Sequence, residues 1–211
     1  MINRRRILAA GLALPLAFTA GASLATDAGL YEDVFDPQSS FVRVLAKGQG
    51  FAAINGTRVT DFTGGLSPYV NVMPGTIALA HAGGSENLTI APSTHYTVIL
   101  NDGAAPQVLT DAVQRNPAKS DVSLYNLSAE GAVDLFVPAA RATALHAVPA
   151  MGAKSVALKA PLTLDFDFKA GDATLARVAA VSLERRAGVS IVLTGAQGGY
   201  QAVAVQDTYL R

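Results

Sequence analysis

Apolar and polar residues alternate along most of the chain after its first 25 residues. In residues 162–169, every even-numbered residue is leucine or phenylalanine and every odd-numbered residue is polar. A period of two places successive side chains on opposite faces of a β-strand. A similar spacing of large apolar residues occurs in residues 96–100, 133–137 and 189–193. The pattern therefore predicts a series of strands that each bury one face.

Turn-forming dipeptides separate these segments. Asn55-Gly56, Asp102-Gly103 and Gly198-Gly199 each combine residues that tolerate a positive φ, which tight hairpin turns require. The 10 prolines and 19 glycines are spread through the chain, which favours short strands with tight connections over helices. We therefore expect an all-β protein.

The same order of strands is predicted twice. The first series lies at residues 41–45, 74–79, 95–100 and 106–111, and the second at 121–125, 160–164, 188–193 and 200–207. Loop insertions explain why the two series are not evenly offset. We predict two tandem antiparallel β-sandwich domains of immunoglobulin-like type, 26–112 and 120–211. The polar segment 113–119 is broken by Pro117 and is the predicted linker.

The first 25 residues have the composition of an export signal. Three consecutive arginines, Arg4 to Arg6, precede a short apolar stretch that ends in small residues. This stretch is interrupted by Gly11 and Pro15 and is short for a membrane span, which needs about 20 apolar residues. We predict cleavage after Ala25 and export by the Sec route, which the sequence favours over the twin-arginine route. The expected location is the periplasm.

Composition and charge exclude several classes of function. The chain has no cysteine, so disulfides, thiol catalysis and cysteine-ligated metals are absent. Removal of residues 1–25 takes three of the 16 basic residues and none of the 16 acidic ones, leaving a net charge of about −3. Arg185-Arg186 is the longest basic run beyond the signal, so no nucleic-acid partner is expected.

Motifs of catalysis are not recognised in the sequence. A G-x-S-x-G nucleophile motif is missing, and His81, His95 and His146 do not have the spacing of paired metal ligands. The glycine-rich segment 195–199 lacks the Lys-Ser/Thr of a phosphate-binding loop and is interpreted as a hairpin loop. We expect no catalytic residues, no cofactor and no metal ligands.

Two groups of residues admit a functional and a structural interpretation. Asp165 and Asp167 share one face of a strand about 7 Å apart, which resembles a glycosidase carboxylate pair. Thr163 and Lys169 lie on that face too, so a solvated strand face is the preferred interpretation. Tyrosines could stack on sugar rings, but packing is preferred for them as well. These tyrosines are Tyr31, Tyr69 and Tyr200.

Several short segments, in this order and spacing, resemble the AlgF family of periplasmic accessory proteins of alginate O-acetylation. Near the mature start they are Gly29-Leu30-Tyr31 and Ser39-Ser40-Phe41-Val42-Arg43-Val44, followed by Met73-Pro74-Gly75 and Tyr96-Thr97-Val98. The second half contributes residues 122–128 and 181–185. Residues 141–153 form an extra stretch that departs from the family pattern.

The resemblance implies a non-catalytic protein that is required for O-acetylation of an exported polysaccharide. Its implied partners are a periplasmic polysaccharide O-acetyltransferase and a membrane acyltransferase. The polymer is alginate or a similar exopolysaccharide. Leu30 and Tyr31 match the N-terminal motif and are the candidate interaction residues. The alternatives are a carbohydrate-binding module that holds the polymer and, third, an acetyltransferase or esterase in its own right.

Overall fold

The computed structural model describes residues 35–46, 50–101, 104–114 and 116–210. Within these residues it contains sixteen strands and one short 3₁₀ helix, Pro138–Ala140. The predicted signal peptide, the candidate residues Leu30 and Tyr31, and the Asp102-Gly103 turn lie outside the described residues. The strands found among the described residues confirm the all-β prediction.

Eight strands of the first half form two four-stranded sheets. Their order is β4-β1-β7-β8 in one sheet and β3-β2-β5-β6 in the other. The strands are β1 (Ser40–Ala46), β2 (Ala52–Ile54), β3 (Thr57–Val59), β4 (Val70–Val72), β5 (Gly75–His81), β6 (Gly84–Ile90), β7 (His95–Leu100) and β8 (Gln107–Asp111). The two sheets enclose one apolar core built from alternate residues of β1, β5 and β7.

The second half repeats this topology strand by strand. Its sheets have the order β12-β9-β15-β16 and β11-β10-β13-β14, so each strand takes the place of the strand eight positions earlier. The strands are β9 (Lys119–Ser128), β10 (Ala132–Val137), β11 (Ala142–Pro149), β12 (Gly152–Lys159), β13 (Leu162–Ala170), β14 (Ala173–Leu183), β15 (Gly188–Gly195) and β16 (Gln201–Gln206). The predicted repeat is thereby confirmed, including all four strand correspondences proposed from the sequence.

One feature of the sheets differs from the predicted antiparallel sandwiches. β1 pairs in parallel with β7, and β9 pairs in parallel with β15. Parallel neighbours require a long crossover connection. In each half, most of the intervening strands belong to the opposite sheet, and they provide this connection. Period-two alternation identifies the faces of a strand but not the direction of its neighbour.

The four sheets are stacked as layers. The sheets containing β1 and β9 are the inner sheets, and the sheets containing β5 and β13 are the outer sheets. A third apolar cluster, including Leu45, Ile99, Tyr125 and Val192, lies between the inner sheets. The central strands of the inner sheets, β1, β7, β9 and β15, are consequently buried on both faces, and all seven residues of β1 are buried. The described residues belong to one compact unit, Phe35–Arg211.

Two of the predicted hairpin turns are observed. Asn55 and Gly56 connect β2 to β3 with φ values of 48° and 86°, as a type I′ turn requires. Gly198 has a φ of 88° in the loop between β15 and β16. The glycine-rich segment 195–199 is therefore the hairpin loop that the sequence predicts.

Bulges interrupt both edge strands of the second outer sheet. Ala147 in β11 and Ala180 in β14 have positive φ values, and each lies at a shift in strand register. The N–H of Ala147 donates to Asp134 and that of Ala180 donates to Asp165, at 2.7 and 2.8 Å. A bulge on an edge strand disfavours pairing with another chain.

Residues 141–153 have counterparts in the first half of the chain. They form β11 and the beginning of β12, which are the counterparts of β3 and β4 in the first half. β11 has eight residues where β3 has three, so the stretch is a longer version of a repeated element.

Candidate functional site

Buried polar side chains converge between the two inner sheets, and Arg43 is their centre. Its side chain is 2% exposed. Its Nε donates to Thr97 Oγ1 at 2.9 Å and its Nη1 donates to Asp207 Oδ1 at 2.7 Å. Its Nη2 donates to Tyr125 Oη at 2.8 Å and to Ser190 Oγ at 2.7 Å. One side chain of the first sandwich thus binds three residues of the second half.

Each hydroxyl that accepts a hydrogen bond from Arg43 also donates one to a carboxylate. Thr97 and Tyr125 donate to Asp111 at 2.6 and 2.5 Å, and Ser190 donates to Asp207 at 2.7 Å. Hydroxyls can accept and donate at the same time, so they relay the interaction between the guanidinium and the two carboxylates. We call Arg43, Tyr69, Thr97, Asp111, Tyr125, Ser190 and Asp207 the junction network.

Tyr69 closes the junction network on the side of the first sandwich. Its Oη donates to Asp111 Oδ2 at 2.8 Å, and the guanidinium carbon of Arg43 lies 4.2 Å from the centre of its ring. A guanidinium over an aromatic face is attracted by the ring quadrupole. Tyr69 is 1% exposed, so this interaction is shielded from water.

Burial and charge perturb the pKa values of the junction network. Desolvation raises the pKa of Tyr69 well above the ordinary tyrosine value, and it also raises the pKa of Tyr125, where the Asp111 carboxylate adds to the effect. Desolvation acts to lower the pKa of Arg43. The tyrosines and carboxylates around Arg43 outweigh that effect and raise its pKa well above its usual range. Arg43 is therefore charged and both tyrosines are neutral at physiological pH.

The geometry of the junction network suits a structural joint. One guanidinium faces two carboxylates, and the hydrogen bonds that the hydroxyls make satisfy the charged atoms. Burying charges costs several kcal/mol each unless they are paired and hydrogen-bonded. A network of this kind tolerates one relative placement of the two sheets, because displacement of either sheet would leave charged atoms without partners.

The C-terminal segment fastens the second half to the first. Beyond β16, the N–H of Tyr69 donates to Thr208 O and the N–H of Leu210 donates to Tyr69 O, both at 2.8 Å. The Tyr209 ring stacks on the Tyr69 ring with centres 5.2 Å apart. Asp207, at the start of this segment, belongs to the junction network and pairs with Arg43. The last described residues therefore contact β1, the first strand.

An aromatic group lies beside this segment. The rings of Phe41 and His95 are stacked with centres 4.7 Å apart, and Tyr209 meets Phe41 edge to face. Phe35 also meets Phe41 edge to face and is 37% exposed. A cleft of about 270 Å³ opens here and is lined by aromatic, serine and glutamine side chains, among them Gln114.

The three histidines occupy separate places. His81 ends β5 and its Nδ1 accepts from the N–H of Gly83, whereas His95 begins β7 and belongs to the aromatic group. His146 is exposed in β11 with its Nδ1 3.7 Å from Asp134 Oδ2. Among the described residues, no group of three or more His, Cys, Asp or Glu side chains is arranged to hold a metal ion.

Asp165 and Asp167 have structural partners. Arg177 donates to both oxygens of Asp167 at 2.6 and 3.0 Å, and its hydrogen bond lowers the pKa of that carboxyl. Asp165 accepts the N–H of the bulge residue Ala180. This agrees with the preferred interpretation of a strand face, with one difference. Asp167 itself is buried and is paired with Arg177.

The tyrosines singled out from the sequence have different environments. Tyr69 is buried in the junction network and cannot stack on a sugar. Tyr200 is half-buried, and its hydroxyl donates to Glu130, which raises the pKa of Tyr200. Tyr31 lies outside the described residues. Packing is thus the role of Tyr69, in agreement with the interpretation preferred from the sequence.

The junction network itself was not predicted. One signal was available, because Arg43 stands between Val42 and Val44 in a strand that otherwise reads as continuously apolar. A charged residue in such a strand is rarely buried without partners. Its partners, however, lie up to 164 residues away and share no motif.

These features define an all-β protein made of two repeated sandwiches that a buried Arg-Tyr-Asp network joins. No family model matches the chain. The alginate biosynthesis protein AlgF of Pseudomonas fluorescens is 29% identical over 204 residues, which cover 92% of this chain and 93% of that protein. This match extends over both halves and confirms the resemblance found in the sequence. The chain is therefore similar to AlgF over nearly its whole length.

The chain is also similar to two solved structures. The C-terminal domain of AlgF from P. aeruginosa is 20% identical with a TM-score of 0.37, and covers 42% of this chain and 98% of that one. A family 26 carbohydrate-binding module from Eubacterium rectale, in complex with maltoheptaose, is 10% identical with a TM-score of 0.31, and covers 78% of this chain and 96% of that one. Neither similarity is close enough to carry an inference. No helix among the described residues has the length and apolar character needed to cross a membrane.

Proposed function

We propose that this protein is a non-catalytic accessory protein for O-acetylation of an exported polysaccharide, alginate or a similar polymer. It acts in the periplasm by binding the acetyltransferase machinery. The observation that carries the proposal is the match to AlgF over nearly the whole of both chains. The match includes both sandwiches of this chain, so the proposal applies to the two-sandwich body as a whole.

The junction network supports an adaptor more than a catalyst. Its hydroxyls, carboxylates and guanidinium are committed to one another and are shielded from water. Catalytic groups need access to a substrate, whereas a rigid body that holds two surfaces in one orientation lowers the entropic cost of assembling partners. The enzymes of the pathway would then supply the chemistry.

Deletion and reconstitution test this proposal. Deletion of the gene should leave the polymer secreted but poor in acetyl esters, and the wild-type gene should restore them. The purified mature protein should form a stable complex with the periplasmic acetyltransferase of the same locus and should release no acetate from acetylated polymer. Normal acetylation in the deletion strain, or failure to bind the acetyltransferase, would overturn the proposal.

Export and domain organisation belong to the same proposal. Residues 1–25 are the proposed signal peptide, and 26–112 and 120–211 are the proposed domains joined by the linker 113–119. N-terminal sequencing of the protein from the periplasm should begin at Thr26. A protein retained in the cytoplasm with Met1 intact contradicts this part.

The aromatic cleft favours a second candidate, a carbohydrate-binding module. Exposed Phe35 and the polar side chains around it are typical of a site that stacks on a sugar ring. This candidate predicts saturable binding of the purified protein to the polymer alone, with loss of binding in Phe35→Ala. Val108→Ala, an equally exposed apolar position on β8, is the matched control.

A further inference from the structure

A groove of about 430 Å³ opens on one flank of the second sandwich. Small and aliphatic side chains from β10, β11, β12, β13 and the 3₁₀ turn line it. They are Val137, Ala139, Ala140, Ala142, Thr143, Ala144, Leu158, Leu162 and Leu164, with Lys159 at one side. Leu162 is 45% exposed there. The small side chains leave this part of the sandwich unfilled and its apolar interior accessible.

The internal repeat indicates that the fold does not require this groove. Leu162 begins the hairpin of β13 and β14 opposite Leu183, and Gly75 begins the corresponding hairpin opposite Ile90. The first sandwich therefore has glycine where the second exposes leucine. It also has the two-residue turn Asn55-Gly56 where the second has the longer 3₁₀ turn. Leu162 and the 3₁₀ turn both border the groove, and both occur only in the second half.

Four basic residues line the groove or lie close to its lining residues. Lys159 lines it, and Arg141 is exposed between two lining alanines. Lys119 pairs with Lys159 across β9 and β12, and Arg185 donates to Ala160 O, next to the start of β13. Among the described residues, none of these four cations forms an ion pair.

This concentration of charge is local. The chain as a whole has 16 basic and 16 acidic residues. Glu184, next to Arg185 in the turn after β14, is an acidic residue close to this group of cations. The apolar groove and its basic rim therefore favour an occupant of the complementary kind, with an apolar centre and acidic flanks.

We infer that the groove is the docking site for an acidic segment of a protein partner, which inserts an apolar side chain between Leu162 and the 3₁₀ turn. The inference rests on the proposed function, because the partner expected is the periplasmic acetyltransferase. Burial of the apolar side chain supplies affinity, and the cations orient the segment and make association depend on ionic strength.

Calorimetry with the purified acetyltransferase of the same locus tests this assignment. Leu162→Ser and Lys159→Glu should each weaken the Kd by about tenfold or more, as truncation of a central contact does. Val108→Ser and Arg58→Glu make comparable changes, apolar to serine and basic to acidic, in exposed residues of the first sandwich and should leave the Kd unchanged. Raising the salt concentration should weaken the wild type more than Lys159→Glu. Urea unfolding of each variant verifies that it folds.

The outcomes separate the two claims. If the wild type binds and both groove variants bind equally well, the docking site is wrong while the proposed function stands. If the wild-type protein fails to bind the acetyltransferase, the proposed function and the docking site fall together. If the anionic polymer binds the wild type, and Lys159→Glu abolishes that binding without affecting the acetyltransferase, the groove is a polysaccharide site and the protein-partner assignment is overturned.

Discussion

The guanidinium of Arg43 lies 2.7 Å from the carboxylate of Asp207, although 164 residues separate them in the chain. Arg43 is in the first strand and Asp207 follows the last one. Their contact passes between the inner sheets, where both side chains are buried. The two sandwiches are therefore joined by a charge pair whose halves come from opposite ends of the described chain, and stability of the whole body should depend on it.

Removal of either charge should destabilise the protein strongly. Arg43→Met leaves the carboxylates of Asp111 and Asp207 buried without their cation, so we expect a loss of about 3–5 kcal/mol in the free energy of unfolding. Urea denaturation measures the loss. Asp172→Asn, in the exposed turn between β13 and β14, is the control and should change the free energy of unfolding little. A loss for Arg43→Met as small as that of the control would contradict the role of the junction network.

A methyl group added at Gly188 should disturb the ion pair between Arg43 and Asp207. A Cβ built there would overlap Asp207 Oδ2, so Gly188→Ala must displace the carboxylate from Arg43. We expect a loss of about 1–3 kcal/mol in the free energy of unfolding, as for other overpacked sites. Gly131→Ala is the matched control, since its Cβ would meet no atom within 4 Å. Equal stability of the two variants would show that Asp207 is not held in this position.

Truncation should test the C-terminal segment separately from the ion pair. Removal of residues 208–211 keeps Asp207 but deletes the Tyr209 ring and two backbone hydrogen bonds to Tyr69. Each hydrogen bond contributes about 1 kcal/mol and the ring stack a similar amount, so we expect a loss of about 2–4 kcal/mol. Leu210→Ser, an exposed position in the same segment, should lose much less. Urea denaturation compares them, and an unchanged midpoint after truncation would disprove the fastening role.

The protein should resist tyrosine ionisation and then unfold at alkaline pH. Tyr69 and Tyr125 have raised pKa values in the folded state, so folding favours their neutral forms. This contribution to stability is complete below about pH 10, the ordinary tyrosine pKa, and is lost as pH rises towards the folded-state values. Tyrosinate absorbance and circular dichroism recorded together should show two tyrosines ionising only as structure is lost. Tyr69→Phe should remove one of them from the late transition.

Asp167 should give the opposite pH dependence. Its hydrogen bonds to Arg177 lower its pKa in the folded state. The resulting stabilisation is present above about pH 4, the ordinary aspartate pKa, and is lost as pH falls through the lower folded-state value. Carboxyl titration by NMR should find Asp167 below its ordinary pKa in the wild type and near it in Arg177→Gln. Arg185→Gln, at a distant turn, should leave the Asp167 titration unchanged.

The amino-acid sequence by itself determined the local features of this protein. Alternation of apolar and polar residues identified the repeated strands, because each strand must bury one face whatever its neighbours are. Asn55-Gly56 identified its hairpin, because few residues adopt the φ values of that turn. The repeat of strand order followed from the same local information.

The tertiary structure alone decided which faces meet. Parallel pairing of β1 with β7, the partners of Arg43 and the groove beside Leu162 all depend on residues that are distant in the chain. The alternation of residues predicts that Arg43 lies on the face of β1 opposite Val42 and Val44. That face is buried against the second half, but a polar residue on a buried face cannot be told in the sequence from one on a solvated face. Period-two spacing carries no information about the partner of a face, because packing between sheets is set by shape and charge in three dimensions.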